Sequence, residues 1–240
     1  MYRILLVLSL IFTLHARADD KIKVVATLPT FAAIATTIGG DYVSASSIAS
    51  AKFNPHFIEP KPSDVIKLKR ADLYIHSGLD LEAWSGPLIV ASARAEFRQG
   101  GERQLDLSKG ILLLEIPNEQ VSRAEGDVHL YGNPHYWLDP RNGLLIAETI
   151  AQKLAEIDPP HRAAYLTNLA TFRSAIETKI TSWQNLVAPF KGSRLVGYHN
   201  EWVYLMNFIN MKMEEFLEPK PGIPPSPSQV AAVIEYIRAN

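Results

Sequence analysis

Three histidines carry the chemistry this sequence can offer. His56 lies in the extended run Asn54-Pro55-His56-Phe57-Ile58-Glu59-Pro60-Lys61-Pro62, and His135 lies in a second Asn-Pro-His element, Asn133-Pro134-His135-Tyr136-Trp137-Leu138-Asp139-Pro140. His199 follows the short apolar run that ends at Tyr198. Imidazole is the commonest side-chain metal ligand, and three of them form a nitrogen-rich site of the kind zinc accepts. The separations, 79 and then 64 residues, are not a local zinc pattern. A single histidine is more often a hydrogen-bonded structural residue than a ligand, so the repeated Asn-Pro-His element is what raises the metal reading. Three protein ligands with an open position also describe a catalytic zinc site, so a zinc-dependent hydrolase is the competing class. No HExxH motif supplies the general base that chemistry needs, and there is no P-loop, Gly-x-Ser-x-Gly or dinucleotide fingerprint. The chain is therefore read as a binding protein and not an enzyme.

Something must hold these rings, and the patterning predicts α/β organisation with parallel strands. Strands are expected at 23–28, 43–49, 73–76 and 111–114, with helices at 31–38 and 63–70, the latter capped by Ser63. Residues 117–132 read as a polar loop. The segment 142–187 is helical and is divided by Asp158-Pro159-Pro160, since proline suits a first turn but not a helix interior. Its second helix, starting near Pro160, would extend roughly 42 Å and carries Leu169, Phe172, Ile176, Ile180, Trp183 and Val187 at spacings of three or four. That pattern fits either a strut between two lobes or a long packing helix of one domain. Beyond it, a strand at 194–198 delivers His199, a helix at 201–208 starts from Asn200 as cap, a strand is expected at 213–217, and a proline-rich loop precedes a last helix at 228–238. In open α/β sheets, ligands bind outside the carboxyl ends of the strands, where His199 should project.

Composition excludes other classes. The 240 residues contain 47% hydrophobic and 20% charged side chains, which is globular and neither disordered nor fibrous. A net charge of −1 gives no electrostatic case for a nucleic-acid partner. Without cysteine there is no disulfide, thiolate ligand, cysteine nucleophile or lipid-bearing cysteine in these residues. Arg3, the apolar run 4–14 and Ala16-Arg17-Ala18 read as a signal peptide over residues 1–18, and no later run is long and apolar enough to span a bilayer. A soluble, exported chain in the periplasm, with no lipid anchor, is expected.

The sequence resembles a known family. The stretch Asn54 to Asp64, then Ala71-Asp72-Leu73 with Ser77-Gly78-Leu79-Asp80-Leu81-Glu82-Ala83-Trp84, then the second Asn-Pro-His element, then Tyr198-His199, are similar to the metal-binding solute-binding proteins of zinc and manganese ABC transporters. The resemblance covers nearly the whole mature chain in the right order. It implies two α/β lobes joined by one long rigid helix, with a transition-metal ion bound between them and delivered to a membrane permease. Residues 19–158 would be the N-terminal lobe, 159–188 the connecting helix and 189–240 a C-terminal lobe, incomplete because the family's acidic fourth ligand comes from a later segment. His56 and His135 would be ligands from the first lobe and His199 from the second. Manganese sites of the family tend to carry a glutamate at the place of His199, so three imidazoles favour Zn2+, with Mn2+ as the alternative cargo. A monomer is expected.

Other residues bear on the site. His76 is expected in a structural or supporting role, His129 as a solvated loop residue with weak recruitment of metal as the alternative, and His161 as exposed in a first helical turn. Glu59 could orient His56 or act as a spare carboxylate, and Asp139 is a similar case. Trp84 and Trp137 read as core.

Overall fold

The computed structural model describes residues 21–117, 129–219 and 222–240. The expected signal peptide and most of the expected loop at 117–132 lie outside the described residues. The first strand, β1 (Ile22–Ala26), shows why the sheet is parallel and covered on both faces: Val24 and Ala26 enter one apolar core while Val25 enters another. β3 (Leu73–His76) repeats the alternation, with Leu73 and Ile75 on the first face and Tyr74 on the second. With β2 (Val43–Ser47) and β4 (Gln104–Asp106) they form a four-stranded sheet in the order β2-β1-β3-β4, parallel at every pairing.

Helices cover both faces. α1 (Pro29–Gly39), α4 (Pro140–Ile157) and α5 (Arg162–Val187) pack on the larger core, and α2 (Pro62–Lys69) and α3 (Ser85–Ser92) on the smaller. α4 buries Ile146, Ala147, Ile150, Ala151, Leu154 and Ala155, one stripe whose alanines let neighbouring helices approach closely. At the end of α1 the chain passes so near β2 that a Cβ on Gly39 would stand 2.2 Å from the Val43 Cβ. Asn168 of α5 donates to the Ile38 carbonyl at 2.9 Å, satisfying a helix end and fixing α5 to this unit.

A second, two-stranded parallel sheet pairs β5 (Arg194–Gly197) with β6 (Lys212–Phe216), linked by α6 (Val203–Ile209) and followed by α7 (Pro227–Ala239). Tyr204 of α6 is buried in the larger core and its hydroxyl accepts from the Leu114 N–H at 3.1 Å, so the two units are in direct contact. α5 is 26 residues, roughly 39 Å. Its Leu169 and Phe172 pack on the core of the first sheet, while Trp183 and Leu186 near its end are exposed.

Several expectations needed correction. No strand forms at 111–114; the fourth strand is β4, whose three residues, Gln-Leu-Asp, carry too weak a pattern to be read alone. α2 starts one residue earlier than expected, with Lys61 rather than Ser63 at the cap; the Asp64 carboxylate accepts from the Lys61 N–H at 2.9 Å. α6 begins after Trp202, not at Asn200, whose side chain is bonded elsewhere. Among the described residues, no helix is long and apolar enough to cross a membrane.

Candidate metal centre

The two Asn-Pro-His elements fold the same way. In each, the asparagine Oδ1 accepts from the histidine backbone N–H, at 2.9 Å for Asn54 and His56 and 3.1 Å for Asn133 and His135. This is an Asx turn with proline at its centre, and it holds the ring that follows it away from helix or strand. Trp84 Nε1 donates to the Pro55 carbonyl at 2.8 Å and ties the first turn to the start of α3. The second turn is buried: Asn133 Oδ1 also accepts from His135 Nδ1 at 2.9 Å, which leaves Nε2 as the nitrogen with a lone pair.

The two turns bring His56 Nε2 and His135 Nε2 to 3.0 Å. Two nitrogens bound to one tetrahedral zinc at about 2.05 Å would stand about 3.3 Å apart, so a few tenths of an ångström separate this arrangement from a coordinating one. A third imidazole joins them. Nitrogens of His56, His129 and His135 all lie within 4.8 Å of one another, with ring centroids 4.9 Å apart for His56 and His129 and 5.8 Å for His129 and His135. His129 was expected as solvated loop. It is instead only 12% exposed and contacts Asp80 Oδ1 through Nδ1 at 3.2 Å. Its lone place in a polar stretch gave no sign of this beyond the residue type.

His199 is not one of the three. It lies two residues beyond β5, with Nε2 3.1 Å from Glu201 Oε2. Its neighbour Asn200 is nonetheless bound to the second Asn-Pro-His turn, because Asn133 Nδ2 donates to the Asn200 carbonyl at 3.1 Å and to Glu115 Oε2 at 3.0 Å. Asn200 Nδ2 in turn donates to Glu115 Oε1 at 2.9 Å and Oε2 at 2.8 Å. Asn133 thus holds His135 with its oxygen and the segment bearing His199 with its nitrogen.

The remaining candidates sort by their partners. Asp139 caps α4, accepting from the Arg141 N–H at 2.8 Å and pairing with its guanidinium at 2.6 Å. Glu59 is exposed and outside the histidine group. His76 Nε2 lies 2.6 Å from Gln104 Nε2 and its ring stacks on Tyr74; burial pushes its pKa down. His161 is not exposed as expected, since its ring stacks on Tyr42 at 3.8 Å and Nδ1 meets Asp158 Oδ2 at 2.8 Å. Trp137 packs on the larger core and also against His135, at 5.4 Å.

Pattern reading missed one buried group. Glu82 Oε1 accepts from Thr27 Oγ1 at 2.6 Å and the Ser77 N–H at 2.7 Å, joining the carboxyl ends of β1 and β3. Burial pushes its pKa up to about 7. β1 and β3 are the adjacent strands at which the order of the sheet reverses, the place where open α/β sheets bind ligands. A cleft of about 920 Å³ opens there, lined by His76, Asp80, Glu82, Asp106 and Tyr131 among others.

Two parallel-sheet units joined by one long helix, with three imidazoles gathered beside one another, are the architecture of a two-lobed solute-binding protein. The family described as ZnuA, zinc-uptake complex component A, periplasmic, matches residues 24–240. The chain belongs to that family, whose members are extracytoplasmic substrate-binding components of metal ABC transporters and not enzymes. It is 26% identical over 228 residues to the metal ABC transporter substrate-binding lipoprotein SsaB of Streptococcus sanguinis, covering 93% of this chain and 71% of that one. It is also 26% identical over 228 residues to the manganese ABC transporter substrate-binding lipoprotein PsaA of Streptococcus pneumoniae, covering 92% and 70%. The crystal structure of ZnuA superposes with a TM-score of 0.77 at 27% identity, over 92% of this chain and 79% of that one.

Proposed function

We propose that this protein captures a transition-metal ion outside the cytoplasm, zinc in preference to manganese, and hands it to an ABC-transporter permease. The observation that carries the reading is the 3.0 Å approach of His56 Nε2 to His135 Nε2. Zinc is favoured because the group that gathers is made of imidazoles alone, whereas manganese prefers carboxylate oxygen. The manganese reading is kept by PsaA, a manganese-transporter relative of similar identity. Residues 19–158 and 189–240 are proposed as the two lobes and 159–188 as the helix between them, with His199 supplied by the second lobe as the ion is enclosed. The protein acts as a monomer, exported by residues 1–18 to the periplasm; the similar SsaB and PsaA are lipoproteins.

Calorimetric titration of the metal-free protein with Zn2+ and with Mn2+ tests the proposal. One equivalent of zinc bound more tightly than manganese is expected. Tighter manganese binding, or a zinc affinity untouched by His135→Ala, would overturn it. Fractionation with lipid labelling separates the periplasmic form from an anchored one.

A further inference from the structure

Asp80 has no part in the function proposed above, and His129 enters it only as one ring of the group, yet the two stand together beside its central pair of rings. We infer that His129, oriented by Asp80, is a third nitrogen ligand that lets the first lobe hold the ion by itself, before His199 is engaged. The inference rests on the metal-capture reading.

Three independent observations support it. First, the His129 nitrogen lies within 4.8 Å of those of His56 and His135, a spread that small ring rotations around one ion can close. Second, the Asp80 carboxylate is placed as an orienting group: Oδ1 meets His129 Nδ1 at 3.2 Å, and Oδ2 accepts from the Leu130 N–H at 3.4 Å. With Nδ1 engaged by the carboxylate, Nε2 is the nitrogen left to carry a lone pair, and the ring is held in one orientation. The pair is only 12% and 11% exposed, so solvent screens the interaction little. Third, the backbone is bent to present Asp80. Gly78, Leu79 and Asp80 have φ of +76°, +53° and +57°, three successive residues in the left-handed region, which glycine and aspartate tolerate and leucine avoids. Such strain concentrates at ligand clamps, where surrounding structure enforces it. Gly78 is required there: a Cβ would stand 2.4 Å from Asp106 Oδ1.

The bonding of His199 to Glu201 agrees with this order of events. An ion entering this arrangement meets three first-lobe imidazoles, and His199 must leave Glu201 to join them.

The test uses the full chain in four variants: His129→Gln, Asp80→Asn, His199→Ala and His135→Ala. Zinc affinity is measured by competition calorimetry, coordination by the visible absorption of the cobalt-loaded protein, and folding by thermal unfolding without metal. His129→Gln and Asp80→Asn should each weaken zinc about 10- to 100-fold and alter the cobalt bands. His199→Ala should still bind one equivalent with His129-dependent cobalt bands. If His129→Gln and Asp80→Asn bind zinc as the parent does, or lose affinity with the cobalt bands unchanged, His129 is not a ligand and the inference fails. His135→Ala separates this from the underlying reading, since normal zinc binding there would remove the metal site altogether.

Discussion

Replacing Asn133 by alanine should separate the orientation of a ligand from the folding of its loop. Asn133 is 5% exposed and makes four contacts: its oxygen accepts from His135 N–H and Nδ1, at 3.1 and 2.9 Å, and its nitrogen donates to Glu115 and the Asn200 carbonyl, at 3.0 and 3.1 Å. Alanine leaves the buried His135 N–H without its acceptor, at about 1–3 kcal/mol of stability. It also releases the His135 ring, and loss of such an orienting partner weakens metal binding about 10- to 100-fold, or about 1.4–2.7 kcal/mol. Asn133→Asp is the control. It keeps the acceptor for both His135 nitrogens, so zinc affinity should hold, but it sets a second carboxylate against Glu115 and should lower stability. Competition calorimetry with zinc and urea unfolding of the metal-free protein read the two effects separately. If Asn133→Ala keeps zinc affinity within about threefold of the parent while losing stability, the ring is not held by Asn133 and the orientation argument is wrong.

Three further outcomes are expected. Because burial lifts Glu82 from 4.5 to about 7, the folded protein keeps a proton that the unfolded chain has lost over that interval. The stability it contributes is full below about pH 4.5 and lost as pH rises through about 7, so Glu82→Gln should flatten the fall between pH 5 and 8 by up to about 3 kcal/mol. Urea midpoints of the metal-free proteins check this, and parallel curves would contradict it. Ile150→Ala removes a fully buried side chain from the larger core and should cost about 2–5 kcal/mol by denaturant unfolding; a cost under 1 would show that the core repacks around the gap. His161→Ala, which breaks the stack on Tyr42 and the contact with Asp158, should lower the melting temperature and leave zinc affinity unchanged, and a loss of zinc binding would place a ligand at the α4–α5 corner.

What the sequence determined by itself is what depends on local pattern. Leu73–His76 is a strand because its apolar residues face two covered sides, and Asp158-Pro159-Pro160 ends α4 because proline cannot sit in a helix interior. The paired Asn-Pro-His elements were legible for the same reason, since an Asx turn is made within three residues. The rest was decided by tertiary structure. β4 exists because β3 offers an open edge, not because Gln-Leu-Asp prefers to be extended. His129 looked like a solvated loop histidine, and what draws it to His56 and His135 is a carboxylate 49 residues away, on a turn with left-handed backbone. His199 has the right residue type, but its ring meets Glu201 because the docking of α6 and Asn133 sets that segment's position. Periodicity encodes which face of an element is buried. It carries no information about which distant side chains will share a cleft, because that depends on how the packed elements come together.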